Sequence, residues 1–134
     1  EPYCKPEQDR IVTLGCLAAL AKMGVTQRRE QFSTYLQSTH NDMVELNRLF
    51  DLVDYIHQPW LLPSLRLLLN NKSEIQSLGD VPPGFPSILR VCDKVVPLIA
   101  KILQTEFTFK TNLHSNYTDT QLQEVEQAVN TFRY

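Results

Sequence analysis

Between Ser87 and about Gln104, apolar residues recur so densely at helical spacing that they fix how the rest of the chain must be arranged. Ile88, Val91, Cys92, Val95, Val96, Leu98, Ile99, Ile102 and Leu103 fill a broad arc of a helical wheel. Arg90, Asp93, Lys94, Lys101 and Gln104 take the remainder. A helix that is apolar over most of its circumference has to be surrounded by other elements, so this segment is expected to be the central helix. Pro97 falls on its polar side. A proline inside a helix costs about 3 kcal/mol through a lost hydrogen bond and a clash. On a solvent face water satisfies the freed carbonyl, so the expectation is a bend and not a break.

Other segments repeat the helical signal. Residues 1–6 read as an extended lead-in because of Pro2 and Pro6. Glu7 to Met23 then carries Ile11, Leu14, Leu17, Ala18 and Ala21 at helical spacing, with Gly24 placed to cap its C-terminus. Thr26 is expected to cap a second helix ending near Gln37, with Phe32, Tyr35 and Leu36 as its apolar set. A third helix, capped by Thr39 or Asn41, ends near His57 because Pro59 follows. Met43, Leu46, Leu49, Phe50, Val53 and Ile56 share its inner face, and Val44, Arg48, Asp51 and Tyr55 lie opposite. Thr118 and Gln121 form a capping-box pattern ahead of Leu122, Val125, Val129 and Phe132, which predicts the last helix.

Three stretches are less regular. Residues 73–78 are read as a short helix capped by Ser73 and closed by Gly79. The loop 79–87 holds three prolines and two glycines in nine positions. Glu106 to Leu113 alternates Phe107, Phe109, Thr111 and Leu113 like a strand, yet no second strong strand is present to pair with it. An extended connector that pins the two phenylalanines to the core is therefore expected. The whole reads as all-α: a compact single-domain bundle of about six helices, some short, over residues 1–134. The Pro-rich loop near 79–87 marks a soft division, and the extended connector lies near 106–115.

Composition narrows the function. Thirteen basic residues against 15 acidic ones give a net charge of −2, without the basic excess of a nucleic-acid binder. Four scattered glycines build no phosphate-cradling loop. No apolar run nears the roughly 20 residues of a membrane-spanning helix. Cys4, Cys16 and Cys92 form no metal-binding spacing, and their odd number leans the chain toward free thiols and a reducing, intracellular compartment. A single bond such as Cys4–Cys16 is compatible with a secreted chain instead. A start at Glu1 reads as a processed form or an excised domain. Two glycosylation sequons, Asn71-Lys72-Ser73 and Asn116-Tyr117-Thr118, match the roughly one expected by chance closely enough to leave the compartment open.

Candidate chemistry is sparse. Cys92 is the best nucleophile, but it lies in the apolar arc, where a thiol acts as a small hydrophobe. His57 falls on the apolar side of the third helix and reads as a core or helix-capping imidazole, while His40 and His114 have no assigned role. Asp42, Glu45, Asp51 and Asp54 spread over both flanks of that helix without converging. Arg90, Lys94 and Lys101 make a narrow basic stripe suited to an acidic segment or an anionic headgroup, or simply to solvent.

The stretch HQPWLLPSLRLLLNN, residues 57–71, holds the only tryptophan. Read as a helix from Pro59, it directs Leu61, Leu62, Leu65, Leu68 and Leu69 into an arc of about 120°. It is too short to span a bilayer, and Arg66 alone is too little charge for an interfacial helix. Trp60 and Leu67 are the residues left over. With Val44, Arg48 and Tyr55 they are the candidate partner-binding set, because Tyr, Trp and Arg are enriched at interfaces. The expected function is non-catalytic protein–protein interaction, of adaptor or scaffold type, with no cofactor or metal and a protein or peptide as partner. Homo-oligomerisation is compatible with the same surface. The alternative is a secreted helical factor or carrier of a small apolar ligand, in which Asn71 and Asn116 become glycosylation candidates.

Overall fold

A computed structural model describes residues 10–39, 42–84, 86–111 and 115–132. Helix α1 spans Arg10–Lys22, α2 Thr26–Ser38 and α3 Met43–Ile56. A 3-10 turn at Pro59–Leu61 leads into α4, Leu62–Leu68. Two short strands follow, β1 Glu74–Ser77 and β2 Ile88–Arg90, then α5 Val91–Leu103 and α6 Asp119–Thr131. The architecture is a mostly helical bundle with one small two-stranded sheet.

The helix ends follow local chemistry. Gly24 adopts a left-handed φ of 99° after α1. Its N–H donates to the Ala21 carbonyl at 3.1 Å, and the Val25 N–H donates to the Leu20 carbonyl at 3.2 Å. This pair of bonds satisfies carbonyls that the helix itself leaves open. The α3 cap is Asp42, whose carboxylate accepts from the Glu45 N–H at 3.1 Å. Thr39, one of the expected caps, instead closes α2, and Asn41 lies outside the described residues. Thr26 is the first residue of α2, not its cap. Pro63 sits in the first turn of α4, where its missing N–H removes nothing.

One buried apolar cluster draws from all six helices and from both strands, on either side of loop 79–87. It includes the inner face expected for α3: Leu46, Leu49, Phe50, Val53 and Ile56. Leu61, Leu62, Leu65, Leu68 and Leu69 are all buried, so the leucine-rich stretch packs as its periodicity requires. Helix α5 packs against α3, α4, α6 and β2. The connector 105–111 lies over the core, with Phe107 and Phe109 stacked at 5.5 Å and Phe109 in turn 5.5 Å from Tyr117. Glu124 holds it to α6 by accepting from the Thr108 N–H and hydroxyl at 2.9 and 2.6 Å.

Three sequence expectations are corrected. Residues 74–77 form a strand and not a helix, pairing antiparallel with Ile88–Arg90 through Gln76↔Leu89 and Ser77↔Ile88. A six-residue helix is too short to offset its nucleation cost. Extended chain here also serves α5, whose first N–H groups have no partner within the helix. Val91 N–H donates to the Ser73 carbonyl and Cys92 N–H to the Asn71 carbonyl, both at 2.9 Å. For the same reason α5 begins at Val91 and not at Ser87. The third correction is on its polar side, where Pro97 and Asp93 are both buried. Pro97 borders two grooves, one lined also by Phe50 of α3 and the other by Thr105, Glu106 and Thr111 of the connector.

Asp93 is fully buried and its carboxylate is saturated with donors. One oxygen accepts from the Arg90 N–H, the Arg90 Nε and the Asn116 Nδ2 at 3.0, 2.9 and 2.7 Å. The other accepts from Arg90 Nη2 and the Tyr117 N–H, both at 2.9 Å. Arg90 Nη2 also donates to the Tyr117 carbonyl at 2.7 Å. Burial pushes this carboxyl upward, but the guanidinium bond, the two N–H groups and the Asn116 amide outweigh it and hold its pKa below the ordinary 3.8.

Removing one member of such a pair strands the others without partners, so Asp93→Ala is expected to cost about 3 kcal/mol in urea denaturation. The lowered pKa adds a pH signature. Stability from the ionised carboxylate is complete above its unfolded-state value and is lost as pH falls through the lower folded-state value. Asp119 and Glu124 also have lowered values, so the difference between wild type and Asp93→Asn isolates the buried group. That difference should shrink as pH is taken below about 4; a constant difference would contradict it.

Candidate functional site

The outer face of α3 carries Val44, Arg48, Asp51 and Tyr55, all exposed. Val44 is 66% and Tyr55 51% accessible, high for apolar and aromatic side chains on a helix whose opposite face is buried. The α1 C-terminus meets the α3 C-terminus at this stripe. Lys22 Nζ donates to the Tyr55 carbonyl at 2.8 Å, where a cation complements the helix dipole. The same ammonium lies 4.2 Å from the Tyr55 ring centroid, a cation–π contact that holds the ring in place. Met23, 79% accessible, follows directly in the chain. Sequence reading missed Lys22 and Met23 because their position beside Tyr55 depends on how α1 packs on α3.

Trp60 is half-buried and its polar atom is used within the fold. Indole Nε1 donates to Gln58 Oε1 at 2.6 Å, and Gln58 Nε2 donates to the Lys22 carbonyl at 3.0 Å. The ring meets the edge of Phe32 at 6.1 Å and lies 5.3 Å beneath the Arg29 guanidinium. Arg29 Nε is itself bound to the Ala21 carbonyl at 2.9 Å. Trp60 thus ties α1, α2 and the turn after α3 together. Leu67, 52% accessible, is on α4 beside Arg66, which donates to Asn130 of α6 at 2.6 Å. Val44, Arg48 and Tyr55 are brought onto one face; Leu67 sits on another helix.

The basic stripe of α5 is engaged inside the molecule. Arg90 belongs to the Asp93 cluster. Lys94 donates to Asn47 and Gln76 at 2.7 and 3.0 Å; burial lowers its pKa, with Asp51 acting against that. Lys101 pairs with Asp54 at 3.0 Å. Lys94, Lys101, Asp51 and Asp54 line a groove of about 350 Å3 between α3 and α5, together with Phe50, Pro97 and Leu98. Its charges balance. A second groove of about 700 Å3 runs between α1 and α2, open on one side, with Leu17, Leu20 and Gln31 among its lining residues.

Nothing in the described residues assembles catalytic chemistry around Cys92. It is a free, fully buried thiol, and burial, with Asp93 next to it, pushes its pKa up to about 11. A nucleophilic or metal-binding cysteine needs the thiolate. His57 is exposed and adopts a left-handed φ of 49° as the α3 C-cap, with its N–H on the Val53 carbonyl; it is not a core group. His40 and His114 lie outside the described residues. Among the described residues no three His, Cys, Asp or Glu side chains gather as metal ligands, and no helix is long and apolar enough to cross a membrane. Cys16 is disulfide-bonded, against the expectation of free thiols; Cys4, the remaining cysteine besides Cys92, lies outside the described residues.

Two properties of Cys92 set its reactivity, burial and protonation. In the native protein at pH 8 it is expected to resist thiol reagents, reacting stoichiometrically only after unfolding. Rapid native labelling would show that α5 opens far more easily than its packing implies. Comparison with protein-family models, with curated proteins and with solved structures found no match for this chain.

Proposed function

We propose that this chain is a non-catalytic protein-binding helical domain whose contact face is the outer stripe of α3. The observation that carries the reading is the exposure of Val44 and Tyr55 on one face with Arg48 between them. No hydrogen bond or ion pair among the described residues engages Arg48, whereas Arg90, Lys94 and Lys101 are held in place within the fold. Tyr and Arg supply large contact area and strong hydrogen bonds at interfaces, which is why they dominate binding hot spots. Lys22 already fixes the Tyr55 ring, so little side-chain entropy is lost when a partner covers it. The partner is a protein or peptide offering an apolar surface with a carboxylate opposite Arg48. A second copy of the chain is the competing occupant.

A second reading, the secreted helical factor, is favoured by the Cys16 disulfide. Disulfides persist in oxidising compartments and are rare in reducing ones. That reading concerns where the domain works and leaves the α3 face available. Its carrier version draws no support from the two grooves described above, which are open to solvent.

Affinity capture with the wild type, Tyr55→Ala and Val44→Asp tests the interaction reading. A partner bound by the wild type should be lost at least tenfold with either variant, as expected for hot-spot positions. The stability of Val44→Asp should stay within about 0.5 kcal/mol of wild type because the side chain is exposed, and Tyr55→Ala within about 1 kcal/mol because it also loses the Lys22 contact. Trp60→Ala should instead lose about 3 kcal/mol of stability. Unchanged capture by both α3 variants would contradict the proposal. Sedimentation at rising concentration separates a foreign partner from self-association.

A further inference from the structure

Both sequons lie within the described residues, and their asparagines are held in opposite ways. Asn71 follows the end of α4, with exposed Asn70, Lys72 and Ser73 on either side. Its Oδ1 accepts from the Ser73 N–H at 3.0 Å, closing a turn across the sequon. Its Nδ2 donates to nothing among the described residues. Asn116 spends both Nδ2 protons, on the Ile88 carbonyl at 3.0 Å and on the buried Asp93 carboxylate at 2.7 Å.

We propose that Asn71 is an N-glycosylation site and that Asn116, in an equally valid sequon, is not one in the folded protein. The proposal rests on the secreted reading that the Cys16 bond favours. The donor is a lipid-diphosphate-linked oligosaccharide. A C–N bond forms between Nδ2 and the anomeric carbon of the sugar while the bond from that carbon to the diphosphate breaks. The diphosphate leaves with the electron pair, and one Nδ2 proton passes to base. The product amide keeps its carbonyl and one N–H. At Asn71 that retains the only side-chain bond the residue makes among the described residues, the one to the Ser73 N–H. At Asn116 one of two bonds is lost, and a bulky sugar is placed beside a carboxylate with no solvent exposure. Chains modified there are therefore expected to be missing from the folded, secreted pool.

The test is to secrete the full chain from cultured mammalian cells behind a signal peptide and to treat the folded product with peptide N-glycosidase in 18O water. Peptide mass spectrometry should show Asn71 converted to labelled Asp in most molecules, and Asn116 unconverted. Ser73→Ala should abolish the modification without moving the thermal midpoint, because among the described residues Ser73 bonds only through its backbone, by its N–H to Asn71 and its carbonyl to Val91. Asn116→Gln should leave the glycan at Asn71 intact. Unmodified Asn71 in the folded secreted chain, or labelled Asn116, overturns the proposal. Alkylation of the same material without reduction reads Cys16 independently of the sugar. A free thiol there overturns the secreted reading, whatever the glycan result.

Discussion

The structure depends on one saturated carboxylate. Asp93 lies at the third position of α5 and gathers the backbone of β2, the guanidinium of Arg90 and the residues that lead into α6. A buried charge is tolerated only when its desolvation is offset by well-placed donors, and here five hydrogen bonds from nitrogen, with a longer one from the Cys92 thiol, meet two oxygens. Apolar packing alone would let α6 slide along α5, because leucine and valine contacts have no direction. Bonds from the Asn116 amide and the Tyr117 N–H fix the chain just before α6 starts. The Thr118–Gln121 capping box then sets the first turn, and Lys72 pairs with Asp119 from the β1 side.

This internal use of polar groups decides which side chains stay free of the fold. Cations that looked like a docking stripe on α5 are committed to Asp93, to Asn47 and Gln76, and to Asp54. The tryptophan that looked spare is bonded through Gln58 to the end of α1. What remains is a stripe on α3 in which the outermost side chains are aliphatic, cationic and aromatic. Lys22 lies over one end of it, so folding of α1 onto α3 also positions the ring of Tyr55 on the face proposed for contact.

Much of this was legible from residue order. Heptad-like spacing gave the inner face of α3 and the buried leucines of α4. Gly24 marked the end of α1, and Thr118 with Gln121 marked the start of α6, because capping chemistry is local. What periodicity could not show was partnership over distance. A wheel places Asp93 on a polar side, yet it has no knowledge of Asn116 and Tyr117, whose groups meet its carboxylate. Residues 74–77 and 88–90 are each too short to announce a strand, and their extended form is set by the open N–H groups of α5. Val44, Arg48 and Tyr55 were visible as an outer stripe. The packing of Trp60 was not legible, because Arg29 lies far before it in sequence and meets the indole only in three dimensions. The bond at Cys16 was weighed as one option among several, since spacing alone does not specify a pairing.

If Asp93 is the node that joins these elements, the amide protons pointing at it should be among the last to exchange. Arg90 and Tyr117 lie in a short strand and in irregular chain, so their protection has no source in a long helix or a wide sheet. Native-state hydrogen exchange followed by NMR measures it directly. The expected result is that both amides exchange only through global unfolding, with the same free energy as the middle of α5. Exchange at the rate of unprotected loop amides, while α5 stays protected, would contradict the central place given to the carboxylate.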